Sequence, residues 1–173
     1  MISRILISKE EIENRIKELA EKISIDFKYE ELTIICVLKG AFIFASDLIR
    51  SIKIPKCNIE FISTTSYKDM ESTGFVNIIN LLRVDINNKN VLIVEDILDT
   101  GLTLKKLTEF LINSKPKSLK TCVLLNKKER RKVDFIADYV GFEIEDKFVI
   151  GYGLDYNENF RELPEIYYVV DHG

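Results

Sequence analysis

The stretch Val91-Leu92-Ile93-Val94-Glu95-Asp96-Ile97-Leu98-Asp99-Thr100-Gly101-Leu102-Thr103 decides how this chain folds. Its first four residues are apolar without interruption, which suits a strand covered on both faces, as in a parallel sheet. Two adjacent carboxylates follow, then a short Asp-Thr-Gly-x-Thr loop. Beyond it Leu104, Leu107 and Leu111 recur at helical spacing, so residues 103–111 read as a helix. Successive amides of such a loop, at a helix N-terminus, form a nest for a phosphate group. Gly101 permits close backbone approach, and the hydroxyls of Thr100 and Thr103 add donors. Glu95 and Asp96 accept only when ionised and so cannot hold a phosphate themselves. They can accept from vicinal hydroxyls or coordinate a hard cation. Phosphate donors beside diol acceptors describe a phosphorylated ribose. Taken alone, the stretch also suits a solvated turn before a capped helix, or the acidic pair of a response-regulator domain.

Working outward, helix and strand signals alternate. Ser8-Lys9-Glu10-Glu11 is a capping box, and Ile12, Ile16, Leu19, Ala20 and Ile23 follow on one helical face. Residues 33–38 and 57–64 read as strands with a helix, 41–50, between them, and residues 121–125 as a further strand. This alternation predicts a parallel sheet with helices on both faces. Ligands of such sheets bind beyond the carboxyl ends of the strands, which directs attention to the loops after Leu38, Val94 and Leu125. Residues 63–76 are polar and too long for an idle connection, and read as a lid or a long hairpin. From Asp138 onward, short strand-like runs between charged turns read as a small antiparallel appendage.

With 173 residues the chain has the length of one domain and an adequate core. Lys and Arg number 25 against 28 Asp and Glu, a net charge of −3, with no basic block, so no general nucleic-acid partner is expected. No apolar run exceeds five residues, as at 34–38 and 41–45, where a membrane span needs about 20. The expectation is no membrane partner and a cytoplasmic address. Cys36, Cys57 and Cys122 are odd in number and lie in apolar stretches, which predicts reduced core residues. His172, the only histidine, has no partner pattern that suggests catalysis.

The stretch 91–103 resembles the phosphoribosyl-pyrophosphate-binding motif of type I phosphoribosyltransferases. Leu38-Lys39-Gly40, Ser66-Tyr67, Val140-Gly141-Phe142-Glu143 and the run 147–161 narrow the resemblance to the hypoxanthine-guanine phosphoribosyltransferase family. The motifs stand in family order and span about residues 32–161. The resemblance implies an α/β fold of the type I phosphoribosyltransferase kind: a central parallel sheet flanked by helices, with a small hood from the N- and C-terminal segments. The expected organisation is a single domain over 1–173, with a core over about 26–140, a hood from about 1–8 and 141–173, and a mobile lid over about 63–76.

The implied reaction is purine salvage. Phosphoribosyl pyrophosphate and hypoxanthine or guanine give inosine or guanosine monophosphate and pyrophosphate, with magnesium (Mg2+) as cofactor. The resemblance gives Thr100, Gly101, Leu102 and Thr103 the 5-phosphate, and Glu95 and Asp96 the ribose hydroxyls. Leu102 stands where some members carry Lys or Arg; its amide still serves the nest. Asp99 matches the family's general base, whereas a structural reading makes it the N-cap of the following helix. Lys39 and Gly40 would contact pyrophosphate through a non-proline cis peptide. Ser66 and Tyr67 would belong to the lid, and Arg161 would face pyrophosphate.

For the purine, the resemblance implies Lys127 at the 6-oxo group, Phe148 stacking on the ring, the Val149 backbone at its edge, and Asp155 nearby. Asp155, Glu95 and Asp96 are the implied metal ligands. An ammonium only donates, so a 6-amino purine would set donor against donor, which predicts discrimination against adenine. Residues 128–131 read as a solvated turn. A homodimer or homotetramer is implied. The alternatives are a xanthine-preferring phosphoribosyltransferase and a nucleotide-sensing regulator on the same fold; the second should show a basic face, which a net charge of −3 does not favour.

Overall fold

A computed structural model describes residues 2–63, 82 and 84–171. The elements are β1 (Ile2–Ile7), α1 (Lys9–Asp26), β2 (Leu32–Leu38), α2 (Phe42–Ser51), β3 (Cys57–Ser63), β4 (Asn90–Leu98), α3 (Leu102–Ile112), β5 (Ser118–Asn126), a 3-10 turn at Lys128–Arg130, β6 (Tyr139–Glu143), β7 (Val149–Ile150) and β8 (Ile166–Asp171). Five strands form a central sheet in the order β3-β2-β4-β5-β6, every neighbouring pair parallel. The remaining three form a separate antiparallel sheet, β1-β8-β7. The core sheet and the hood expected from the resemblance are both present.

The apolar runs explain why the central strands lie inside. Along β2, Ile34 and Cys36 join one core with Leu92 and Val94 of β4, Leu124 of β5, α1 and α2. Ile35 and Val37 point the other way, into a second core with Ile93, Val123 and the Leu104, Leu107 and Leu111 stripe of α3. A strand covered on both faces must be apolar at odd and even positions alike. Burying each of those leucines contributes about 1.5–3 kcal/mol.

α1 begins as predicted: Ser8 Oγ accepts from the Glu11 amide at 3.3 Å while the Ser8 amide donates back to Glu11 Oε2 at 2.8 Å. Its predicted face, Ile12 through Ile23, is buried. All three cysteines are free. Burial pushes the Cys36 thiol up to about 12 and the Cys57 thiol up to about 11, which leaves both unreactive as nucleophiles. Cys57 is only half-buried, because it opens an edge strand.

One expectation is corrected. Residues 139–143 are not part of an antiparallel appendage but the fifth strand of the central sheet, parallel to β5, with Val123 opposite Val140. As an edge strand β6 is buried only at alternate positions, so it lacks the apolar run that marks β2 and β4. Arg15 of α1 fastens it, donating to the carbonyls of Gly141 and Val140, each at 2.8 Å. Ser66, Tyr67, the lid beyond Ser63 and His172 lie outside the described residues. Among the described residues no helix is long and apolar enough to cross a membrane.

Candidate active site

β2, β4 and β5 end at one edge of the sheet, and the loop after β4 opens there into a recess of about 270 Å³. Its walls come from residues 95–101 with Thr103 and Leu104. Glu95 is buried and Asp96 half-buried. The Asp96 amide donates to Glu95 Oε1 at 3.1 Å, and the Ile97 amide to Asp96 Oδ1 at 2.7 Å. Burial holds both carboxyls above the ordinary carboxylate range, and the neighbouring Asp96 charge raises Glu95 further. Such a pair is ready to receive positive charge or hydroxyl donors.

The loop after β2 lies against this pair. Its Leu38–Lys39 peptide is cis, as the resemblance implies. A Cβ on Gly40 would fall on the Asp96 carboxylate, so a residue without a side chain is required for the two loops to touch.

Asp99 Oδ1 is buried without a hydrogen-bond partner, and Arg130 Nε stands 3.4 Å from it. Asp99 is not the N-cap of α3. That position belongs to Gly101, at φ +83°, with no side-chain cap. The left-handed conformation there favours glycine. Thr100 Oγ1 accepts from the Leu102 amide at 3.4 Å. The Leu102 side chain takes no part in the recess wall, whereas Thr103 does.

On the β5 side, Lys127 is 5% exposed, and its amide donates to Leu98 O at 2.9 Å, tying the ends of β4 and β5 together. Its ammonium lies 3.6 Å from Asp146 Oδ1, toward which Arg130 also reaches at 3.8 Å. Phe148 leaves 40% of its surface open and meets Tyr156 edge-on, ring centroids 5.7 Å apart. Val149 is buried in β7, paired with Tyr168 of β8.

The rim is a chain of ion pairs. Arg161 donates to Gly153 O at 2.8 Å and pairs with Asp155 at 3.1 Å and Glu158 at 3.2 Å. Glu158 also takes Lys39 at 2.7 Å, and that bond holds its carboxyl below the usual range. The Arg161 charge also acts on Asp96, opposing the larger effect of burial.

The structure therefore brings Lys39, Gly40, Glu95, Asp96, Asp99 to Thr103, Lys127, Asp155 and Arg161 to one end of the sheet. Glu95, Asp96 and Asp155 do not converge into one metal-binding cluster: no group of three such side chains does so among the described residues. Sequence reasoning missed Arg130, Asp146 and Glu158. It also misread Arg131, expected in a solvated turn. Lys128, Glu129 and Arg130 are exposed as expected, but the half-buried Arg131 guanidinium turns inward beneath the loop after β4.

Fold and strand-end site together define a phosphoribosyltransferase: residues 6–157 match the phosphoribosyl transferase domain family. The chain is 51% identical to the hypoxanthine-guanine phosphoribosyltransferase of Aquifex aeolicus over 97% of its own length and 95% of the relative's. It is 47% identical to that of Dictyostelium discoideum, over 95% and 93%. A crystal structure of a hypoxanthine-guanine phosphoribosyltransferase from Bacillus anthracis superposes with a TM-score of 0.88 at 50% identity, covering 98% of this chain and 100% of that one. The chain belongs to the phosphoribosyltransferase family, within its hypoxanthine-guanine branch, and is an enzyme of that class.

Proposed function

We propose that this enzyme serves purine salvage by transferring 5-phosphoribosyl from phosphoribosyl pyrophosphate to hypoxanthine or guanine, giving inosine or guanosine monophosphate and pyrophosphate. The observation that carries the reading is the single recess shared by the Glu95–Asp96 pair and the loop through Asp99, Thr100, Gly101 and Thr103. It sets hydroxyl acceptors beside phosphate donors, the two functions that a sugar phosphate needs. Thr100, Gly101, Leu102 and Thr103 take the 5-phosphate, and Glu95 and Asp96 the ribose hydroxyls.

In the reaction the bond from the anomeric carbon to pyrophosphate oxygen breaks and a bond to the purine imidazole nitrogen forms. Asp99 accepts the proton which that nitrogen loses, a step worth about 100-fold or more for a positioned base. Its buried Oδ1 accepts no hydrogen bond and meets only the Arg130 ion pair at 3.4 Å among the described residues, which leaves a lone pair for this task. Carboxylates near the anomeric carbon stabilise the positive charge that develops there. Lys39, Gly40 and Arg161 receive pyrophosphate, the arginine fork matching phosphate oxygens. Lys127 donates to the 6-oxo group, Phe148 stacks on the base, and Asp155 and the Val149 backbone flank it.

The raised carboxyls of Glu95 and Asp96 suit a divalent cation, whereas Asp155 would first have to give up its Arg161 partner at 3.1 Å. Glu95, Asp96 and Asp155 would be the residues to hold magnesium, an ion that usually keeps several non-protein ligands. Bound magnesium would supply charge neutralisation for the leaving pyrophosphate. A homodimer or homotetramer is the proposed assembly, which light scattering measures.

The test is initial velocity with phosphoribosyl pyrophosphate and magnesium against hypoxanthine, guanine, xanthine and adenine in parallel. Fast turnover of hypoxanthine and guanine with adenine inert is expected. Comparable adenine turnover would sink the Lys127 argument, and a preference for xanthine would reassign the base.

A further inference from the structure

We infer that Arg131 is a positioning residue that sets the phosphate nest, although its side chain lies behind the loop and outside the recess. The inference rests on the reading of residues 99–103 as the phosphate site. All three guanidinium nitrogens are engaged. Nε donates to the Asp99 carbonyl at 3.1 Å, one terminal nitrogen to Phe135 O, and the other to Asn126 Oδ1 at 2.5 Å. Asn126 is itself fixed, its amide donating to both Glu143 oxygens at 3.1 Å. The next residue continues the brace, the Lys132 amide donating to Thr100 O at 2.9 Å. Gly101 O is taken by the first turn of α3, from the Lys105 amide at 3.0 Å.

Peptide planarity turns these contacts into a statement about donors. In a trans peptide the N–H points opposite to the C=O of the same unit. Pulling the Asp99 and Thr100 carbonyls toward residues 131–132 therefore aims the Thr100 and Gly101 amides the other way. Residues 131–135 take no part in the recess wall; Arg131, Val133 and Phe135 line a separate cavity of about 420 Å³. The loop is the partition between the two, so the amides turned away from Arg131 face the recess. Packing works in the same direction. A Cβ on Gly101 would meet Arg131 Cδ at 2.9 Å and Val133 Cγ2 at 3.0 Å, so the loop rests directly on the arginine stem.

A single-point ammonium cannot reproduce three diverging bonds, so lysine should not rescue the function. The experiment measures calorimetric affinities of inosine monophosphate and inosine for wild type, Arg131→Lys and Arg131→Met, with melting temperature as the fold control. The two ligands differ only in the 5-phosphate. Wild type should bind the nucleotide much more tightly. Both variants should lose about tenfold or more in nucleotide affinity, the scale of misplaced binding groups, while inosine affinity stays within twofold. A merely structural arginine would lower the melting temperature and weaken both ligands alike, or neither, and either result overturns the proposal.

If neither Arg131 variant folds, Glu143→Ala loosens the same brace from its exposed end. It should show the same selective loss at smaller size, and an unchanged ratio of the two affinities would overturn the proposal. Wild type that fails to prefer the nucleotide would instead sink the phosphate-site reading itself.

Discussion

The floor of the site and its rim solve the same electrostatic problem in opposite ways. On the floor, Glu95 is buried and Asp96 half-buried, no cationic side chain among the described residues is hydrogen-bonded to either, and the following loop is held by hydrogen bonds from behind. On the rim, Lys39 and Glu158 pair in the open, exposing 66% and 64% of their side chains, while Arg161 and Asp155 beside them expose only 17% and 32%. Buried and braced groups keep their aim before substrate arrives, at a cost in stability. Exposed pairs are screened by water and salt and contribute little, so they exchange partners readily. The floor is preorganised; the rim is available for a highly charged leaving group.

Five substitutions probe this contrast, in decreasing order of effect. Asp99→Asn keeps the shape of the floor and removes the proposed base, so kcat should fall about 100-fold or more. Nucleotide binding should persist, and single-turnover kinetics separates the two. Lys127→Gln should cut kcat/KM for hypoxanthine by about tenfold to 100-fold, the scale of a lost buried polar match. Adenine should change little, so the ratio of the two bases is the quantity to measure. Gly40→Ala forces a methyl group onto the Asp96 carboxylate. Overpacking of this kind costs about 1–3 kcal/mol, and at this size each kcal/mol moves Tm by about 2–4 °C in a calorimetric scan.

Glu95→Gln should act in the opposite sense on stability. Because the folded carboxyl is held above its unfolded value of 4.5, the native state binds more protons in the range above that value. Stability of the wild type should therefore fall as pH rises through this range, and the full penalty is present above the folded value. The glutamine variant should show a shallower fall and a higher Tm at neutral pH, together with lower activity, as expected where a site trades stability for function. Denaturation across pH 4 to 8 tests it; a variant slope equal to the wild type's would show that Glu95 does not carry the penalty. On the rim, Glu158→Gln should change KM for phosphoribosyl pyrophosphate by no more than about threefold, and less at high salt. A larger, salt-independent change would erase the contrast between floor and rim.

What could be read from the chain beforehand follows the range of each interaction. The capping box at Ser8 and Glu11 spans three residues, and the α3 stripe of Leu104, Leu107 and Leu111 repeats locally, so both were visible. The loop from Asp99 to Thr103 was visible because its chemistry is contiguous. β6 was not, since a half-covered edge strand of five residues loses the apolar run that marks its neighbours. Arg131 was hidden for a different reason. Nothing in Lys128-Glu129-Arg130-Arg131 separates one cation from the next. Only the 3-10 turn at Lys128–Arg130, docked beside β4, sends the last of them inward while Arg130 reaches Asp99 from the exposed side.

The pairing of β1 with β8 also bears on how the molecule comes to exist. Ser3 lies opposite Val169, so the second sheet closes a far longer loop than β4 and β5 do, which one crossover through α3 joins. Contacts between residues far apart in the chain form late, after local pairing has shortened the path between them. During synthesis β1 emerges early and waits unpaired until β8 follows, by which time β2, β4 and β5 can already be joined. The proposed phosphate floor would then mature before the proposed purine surface. Pulsed hydrogen exchange should show amides of β4 and β5 protected before those of β1 and β8, a birth order in which the proposed grip on the sugar precedes the proposed choice of purine.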